Sequence, residues 1–231
     1  MIYDNWALNI DLDQCSFATI QKNLAYYTSD TVWWKTATYP SAGIMLSNEG
    51  IKDKNGYTYP VGHDRKVVNN ILVGNGTNFV FWSGNRMAGS ALINDLIANN
   101  TLVNTQGEGG TGIRIDAGPH LNSRIVNNLT LESSTNRIAY TSSTSGLIFS
   151  YNLWSKAPPS IMASPNDIIA DPLLVDPNYT RTAGSVSANW YKIKSTSPAI
   201  DRAMNLSEVS IDYWNIARGT TPDIGAHEAT P

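Results

Sequence analysis

Asn99-Asn100-Thr101-Leu102 and Asn127-Asn128-Leu129 repeat one phrase, an asparagine pair followed by an apolar residue, 28 positions apart. The phrase recurs upstream as Asn69-Asn70-Ile71 and downstream as Tyr151-Asn152-Leu153. The ladder of second asparagines therefore runs at intervals of 30, 28 and 24 residues. Lys22-Asn23-Leu24 extends it towards the start, and Asp4-Asn5-Trp6 reads as the same unit. A period in the twenties marks a solenoid, whose repeats bury their apolar side only against their neighbours. Asparagine also tolerates the left-handed backbone of a tight turn. A column of asparagines at an inside corner would join successive coils through side-chain amides, each bond worth about 1 kcal/mol net, and hold their register.

A second phrase alternates with the first: Asn9-Ile10-Asp11-Leu12, Gly43-Ile44-Met45-Leu46, Phe79-Val80-Phe81-Trp82, Gly112-Ile113-Arg114-Ile115 and Arg137-Ile138-Ala139-Tyr140. Each fits a short strand with period-2 alternation. At least two short strands per repeat, separated by turns, describe an all-β parallel β-helix and not a leucine-rich or helical repeat. The composition agrees. The chain carries 24 asparagines and seven tryptophans but only 15% charged residues, too few lysines and glutamates for long amphipathic helices.

Charge and cysteine usage exclude several classes. A formal charge of −3 and a pI of about 5.5 leave no electrostatic footprint for nucleic acid. No apolar run of about 18 residues offers a membrane span. The single Cys15 cannot form an intrachain disulfide framework and reads as a core residue. No glycine loop opens a helix after a strand, so no nucleotide cofactor is implied. The first residues lack the basic and apolar regions of a signal peptide, so either the chain is not exported or the sequence starts downstream of the signal.

The interval from Asn23 to Asn70 is 47 residues, and the excess falls near 27–39 and 52–65. Long insertions in a regular solenoid are where function gathers. Coils thus occupy 1–156. Beyond them the repeat fades into Asp171-Pro172-Leu173-Leu174-Val175-Asp176-Pro177, Ser197-Pro198-Ala199-Ile200-Asp201 and Asp223-Ile224-Gly225-Ala226-His227-Glu228. These three phrases resemble the terminal segment of secreted bacterial right-handed parallel β-helix proteins of the pectate-lyase-like superfamily, and the Asn-Asn-Ile phrases resemble that group's coils. The resemblance implies a right-handed helix, a wrapping and capping segment over 157–231, and an extracellular or cell-surface setting of bacterial type. It also implies structural roles for His227 and Glu228. Relatives of this kind begin with further coils and a cap, whereas this chain opens inside a coil. Missing N-terminal coils, a partner domain or self-association are therefore expected to cover that end.

Three sets of residues carry candidate chemistry. If Ile10 and Leu12 point inward, Asp11 and Asp13 point outward, and the same phase sends Met45, Ser47, Phe81, Ser83, Arg114, Asp116, Ala139 and Thr141 outward. One face would then carry Asp11, Asp13, Phe81, Arg114 and Asp116 with Glu49 at its rim, a mixture suited to a sugar chain. Asp11 and Asp13, two apart on a strand, have Cα atoms about 6.5–7 Å apart, near the ~6.5–9.5 Å between the carboxyls of inverting glycosidases. Asp13 and Asp116, three coils apart, are separated by about 14 Å, too far for a pair. The second set is basic: His63, Arg65 and Lys66, with His120 at a similar offset from its asparagine and so at the same corner. β-Elimination on a polyuronate needs a cation beside the carboxylate and a base for the C5 proton. Ca²⁺ held by Asp53, Asp64 and Glu49 would assist it, although no compact Ca²⁺ loop is present. The third set is aromatic: Tyr26, Tyr27, Trp33, Trp34, Tyr39, Tyr57 and Tyr59, in and beside the insertions, either stacking on sugar rings or packing the insertions onto the coils.

Two classes of function follow. One is a polysaccharide lyase or glycosidase acting on an extracellular glycan. The other is a non-catalytic glycan-binding or stalk domain.

Overall fold

A computed structural model describes residues 1–34, 40–49, 55–57, 60–83, 89–107, 109–132, 135–178 and 181–230. In it the two residues of each asparagine pair do different work. Asn69, Asn99 and Asn127 take φ of 54°, 52° and 57°, and Lys22 and Tyr151 hold the same place at 55° and 56°. These left-handed residues turn the chain and leave the following asparagine facing inward. Nδ2 of Asn23 donates to Oδ1 of Asn70 at 3.1 Å, Asn70 to Asn100 at 3.0 Å, Asn100 to Asn128 at 3.0 Å and Asn128 to Asn152 at 3.2 Å. Asp167 ends the row, accepting from the Asn152 backbone N–H and from Trp154 Nε1. Asp4-Asn5-Trp6 does not belong to it: Asp4 follows a strand instead of preceding one, and its carboxylate accepts from the N–H and hydroxyl of Thr28.

Each turn of the ladder carries three strands, one more than the two recurring phrases show. The first coil holds β1 (Ile2–Tyr3), β2 (Ile10–Asp13) and β3 (Thr19–Gln21). The second holds β4 (Leu24–Tyr26), β5 (Ala42–Ser47) and β6 (Lys66–Val68), and the third β7 (Ile71–Val73), β8 (Thr77–Trp82) and β9 (Leu96–Ala98). β10 (Thr101–Val103), β11 (Thr111–Ile115) and β12 (Ser123–Val126) make the fourth; β13 (Leu129–Leu131), β14 (Arg137–Thr141) and β15 (Leu147–Ser150) make the fifth. β16 (Leu153–Trp154) and β17 (Ile168–Ile169) extend the first sheet. Stacking gives three parallel sheets, ordered β1-β4-β7-β10-β13-β16-β17, β2-β5-β8-β11-β14 and β3-β6-β9-β12-β15. The chain is a parallel β-helix.

Register decides what each face buries. Ile10, Ile44, Phe79, Ile113 and Ala139 stand in one row of the second sheet, and Leu12, Leu46, Phe81, Ile115 and Thr141 in another. Both rows point inward. With Ile20, Val67, Ile97, Ile125 and Phe149 of the third sheet and Ala25, Leu72, Leu102 and Trp154 of the first, they form the core. Each fully buried Leu, Ile or Phe there contributes about 1.5–3 kcal/mol.

The chain after β16 packs on the outside. Leu174, Val186, Tyr191, Ile193, Ile224 and Ala226 lie against Leu24, Tyr26, Ile71, Val73, Val103 and Leu129 on the outer face of the first sheet. Leu206 and Val209 cover Leu96 and Val126 on the third. Gly225 has φ of 97°, and a Cβ there would lie 3.0 Å from Thr101 Oγ1 and 3.1 Å from Leu129 Cβ, so only glycine lets the segment come this close. Arg218 clamps it, donating to Glu228 Oε2, the carbonyls of Asp223 and Gly225, and Asn69 Oδ1. Glu228 is thus engaged in the fold, and the ring of His227 meets Trp214 edge-on. On the outer face of the second sheet Ala42, Met45 and Val80 are instead buried against Leu8 and Trp82, and Asp11 and Arg114 on the flanking strands are exposed.

Candidate functional site

The open face holds a groove of about 630 Å³. Its floor is the outward row Asp11–Met45–Val80–Arg114, one residue from each of four successive coils. Ala42, Met45 and Val80 form a small apolar cluster with Leu8 and Trp82. Pro40, Ser41 and Glu49, which flank the two insertions, line its rim. A parallel row one step along reads Asp13–Ser47–Trp82, continued by Asp116, whose N–H donates to the Phe81 carbonyl.

Asp11, Asp13 and Ser47 form one unit at the acidic end. The Ser47 hydroxyl, fully buried, lies 3.3 Å from Oδ1 of Asp11 and 3.3 Å from Oδ1 of Asp13. Asp13 Oδ1 also accepts the backbone N–H of Glu49 at 2.9 Å, which ties the start of the second insertion to the first coil. The Asp11 side chain is reached by solvent along the groove, yet its carboxyl is walled in where two other acids converge. Burial, with the charges of Asp13 and Glu49 behind it, pushes Asp11 up to about 6; a Ser47 hydroxyl that donates to an ionised Asp11 pulls the other way. Asp11 is thereby set to hold a proton up to about pH 6 beside a second carboxyl, as a general acid does. Because both oxygens meet one hydroxyl, they are at most twice 3.3 Å apart. That limit, which holds for these two oxygens, lies at the lower edge of the ~6.5–9.5 Å an inverting pair needs for its water.

At the far end, Arg114 is bound to Asp116, with Nε and Nη2 each 3.0 Å from Oδ1. Asp11, Asp13, Ser47, Arg114, Asp116 and Glu49 thus share the face on which their alternation placed them. Phe81 does not. It is fully buried, and Val80 and Trp82 point outward in its stead. The outward residue of β14 is likewise Tyr140, paired with Arg114, and not Ala139. Trp82 is the groove aromatic that the sequence reading missed, and the apolar stretch around it held no polar residue to mark the phase.

The basic set is taken apart. Arg65 lies inside the coils, its Nε 3.0 Å and Nη2 2.7 Å from the carboxylate of Asp95, with both side chains wholly buried. It cannot meet a substrate. His120 is buried as well: Nδ1 accepts from the Leu92 N–H at 3.0 Å and Nε2 donates to the Asp116 carbonyl at 3.1 Å. Burial lowers its pKa, so it serves as a neutral corner residue against Phe81. Leu121 pairs with Ile93, whose carbonyl accepts from the N–H of Asp64. His63 and His120 therefore share a corner but sit one register step apart, His63 partly exposed and His120 within. His63 Nδ1 lies 2.6 Å from Asp64 Oδ2. Lys66 belongs to the third sheet, paired with Thr19 and Leu96, on a different face from the groove.

Tyr26 and Tyr27 are buried, and the Tyr27 hydroxyl donates to the Asn5 carbonyl. Trp33 ends a 3₁₀ turn (Thr31–Trp33) and is exposed, while Trp34 Nε1 donates to the Thr28 carbonyl at 3.4 Å. Tyr57 is exposed; Tyr39 and Tyr59 lie outside the described residues. The proposed Ca²⁺ ligands do not converge: Glu49 lines the groove, Asp64 is engaged with His63, and Asp53 lies outside the described residues. Among the described residues no group of three or more His, Cys, Asp or Glu is placed to hold a metal.

Compared with known proteins, the chain matches no family model and no curated protein.

Proposed function

We propose that the protein acts on an extracellular polysaccharide, binding it along the groove of the second sheet and hydrolysing it with Asp11 as general acid. The observation that carries this reading is Asp11, which lines a groove with an apolar stripe and is joined through the buried Ser47 to Asp13 behind it. Below pH 6 Asp11 holds a proton for the leaving glycosidic oxygen. Asp13, an acceptor for two donors, is the second carboxyl of the pair. The half-buried Trp82, backed by Met45 and Val80, offers an apolar surface for a sugar ring, and Arg114 with Asp116 supplies hydrogen-bonding groups at the other end. Hydrolysis is preferred to elimination because Arg65 and His120 are committed to the interior. The resemblance of the coil and terminal phrases to pectate-lyase-like β-helix proteins supports a glycan substrate.

The test is incubation with a panel of neutral and acidic polysaccharides, with products read by mass spectrometry. Saturated oligosaccharides are expected, lost in Asp11→Asn while glycan binding remains. Products lighter by one water would mean elimination and overturn the assignment of Asp11. One observation favours a second reading, a binding domain without turnover: Asp13 already accepts the Glu49 N–H, as a purely structural carboxylate would. Binding without product from any glycan would establish it.

A further inference from the structure

Resting on the hydrolytic reading of the groove, we propose that Ser47 is a positioning residue that shares a single proton between Asp11 and Asp13. A hydroxyl has one hydrogen to donate and two lone pairs to accept with. Ser47 Oγ is 3.3 Å from both carboxylate oxygens, so it can donate to only one of them at a time. Both contacts become hydrogen bonds only if one carboxyl is protonated and donates to Oγ. Asp13 Oδ1 already accepts the Glu49 N–H, which marks it as the acceptor. Asp11 then holds the proton, and the chain runs from Asp11 O–H to Ser47 Oγ and from Ser47 O–H to Asp13 Oδ1.

This arrangement does more than hold two side chains still. The state with Asp11 protonated and Asp13 ionised makes two hydrogen bonds through Ser47. The doubly ionised state makes one, and the doubly protonated state loses the charged acceptor. Ser47 therefore pulls the two ionisations of the pair apart, keeping the acid loaded beside an ionised partner. When Asp11 passes its proton to the glycosidic oxygen, which takes the electron pair of the breaking C–O bond, Ser47 can turn its own proton from Asp13 to the new carboxylate. That movement frees Asp13 towards the substrate. The hydroxyl is wholly buried, so water does not compete for it. The charged groups described around it are Asp11 and Asp13 on β2, Glu49 beyond β5, and the Arg114–Asp116 pair two coils away.

The experiment is a carboxyl ¹³C NMR titration of the full chain with labelled aspartate, comparing the parent with Ser47→Ala and Ser47→Thr; it needs no substrate. In Ser47→Ala the Asp11 midpoint should fall by about one pH unit, the equivalent of one hydrogen bond. Ser47→Thr, which keeps a hydroxyl on a strand, should restore it. An Asp11 midpoint that rises or stays put in Ser47→Ala would overturn the proposal, since a hydroxyl that merely donates to Asp11 lowers its pKa. If Ser47→Ala does not fold, Asp13→Asn takes its place: the Asp11 midpoint must again fall, and an unchanged midpoint refutes the shared proton. Absence of product from every glycan would instead count against hydrolysis and leave the titration result standing.

Discussion

The first and second sheets are stacked by the same ladder, yet one is sealed on its outer face and the other is open. On the first sheet both faces are apolar, with Leu24, Ile71, Val73, Val103 and Leu129 outward and Ala25, Leu72 and Leu102 inward. A parallel strand buried on both sides reads as a continuous apolar run, and a covering layer must exist for it. On the second sheet Asp11, Asp13, Arg114 and Asp116 alternate with Ile10, Leu12, Ile113 and Ile115 on the flanking strands, while Met45, Val80 and Trp82 make the middle of the outer face apolar. The proposed binding groove lies on the face that the terminal segment does not claim.

Breaking the seal should have the largest effect. Arg218→Met removes the clamp and leaves Glu228 buried without its cation, which should cost about 3–5 kcal/mol. The midpoint of urea unfolding reads that loss, and limited proteolysis should cut first in the segment after β16. Hydrolysis by the coil face, if measured below that midpoint, should survive.

The corner between the two faces holds Glu132, whose Oε2 accepts from the N–H and hydroxyl of Thr105 and whose Oε1 is buried without a partner. Burial pushes it up to about 7, from 4.5 when unfolded. The folded chain thus keeps a proton that the unfolded chain releases, so the contribution of Glu132 to stability is greatest below pH 4.5 and declines as pH rises to about 7, by about 3 kcal/mol. Glu132→Gln should flatten that decline in melts run from pH 4.5 to 8, and a slope equal to the parent's would refute the assignment.

Gly225→Ala tests how closely the segment approaches. The positive φ and the contact with Leu129 should cost about 2 kcal/mol, visible as a lower melting temperature. Asp11→Asn should change stability least, and above pH 6 in the stabilising direction because it removes a carboxyl whose ionisation the fold opposes, while abolishing turnover. In the parent, activity should fall about tenfold per pH unit above 6 as Asp11 loses its proton.

Much of this was legible in the chain itself, and the exceptions have physical reasons. Asn70, Asn100, Asn128 and Asn152 reveal the ladder because asparagine recurring at a fixed period beside apolar residues points to stacked coils and to little else. The third sheet went unseen, although an apolar residue three places before each ladder asparagine (Ile20, Val67, Ile97, Ile125, Phe149) marks it. Phe81 misled because β8 is apolar on both faces, so nothing fixes its phase; a one-residue slip exchanges the faces. His63 and His120 differ by one in their distance from the ladder, enough to send one out and one in. Arg65 looks like a surface cation until Asp95, 30 residues on, is stacked directly over it. Ser47 is an ordinary strand serine by sequence, and only the register of β2 on β5 gives it two carboxylates.

The asparagine ladder also has a direction. Every side-chain amide from Asn23 to Asn128 donates towards the later coil, and each from Asn70 onward accepts from the earlier one. Their dipoles therefore add head to tail along the solenoid axis, as peptide dipoles add in a helix. The positive end lies at the last coil, and there the series closes with a carboxylate, Asp167, in place of another amide. A full negative charge placed at that pole does for the solenoid what an acidic cap does for a helix: it ends the polarised column where another asparagine would have prolonged it.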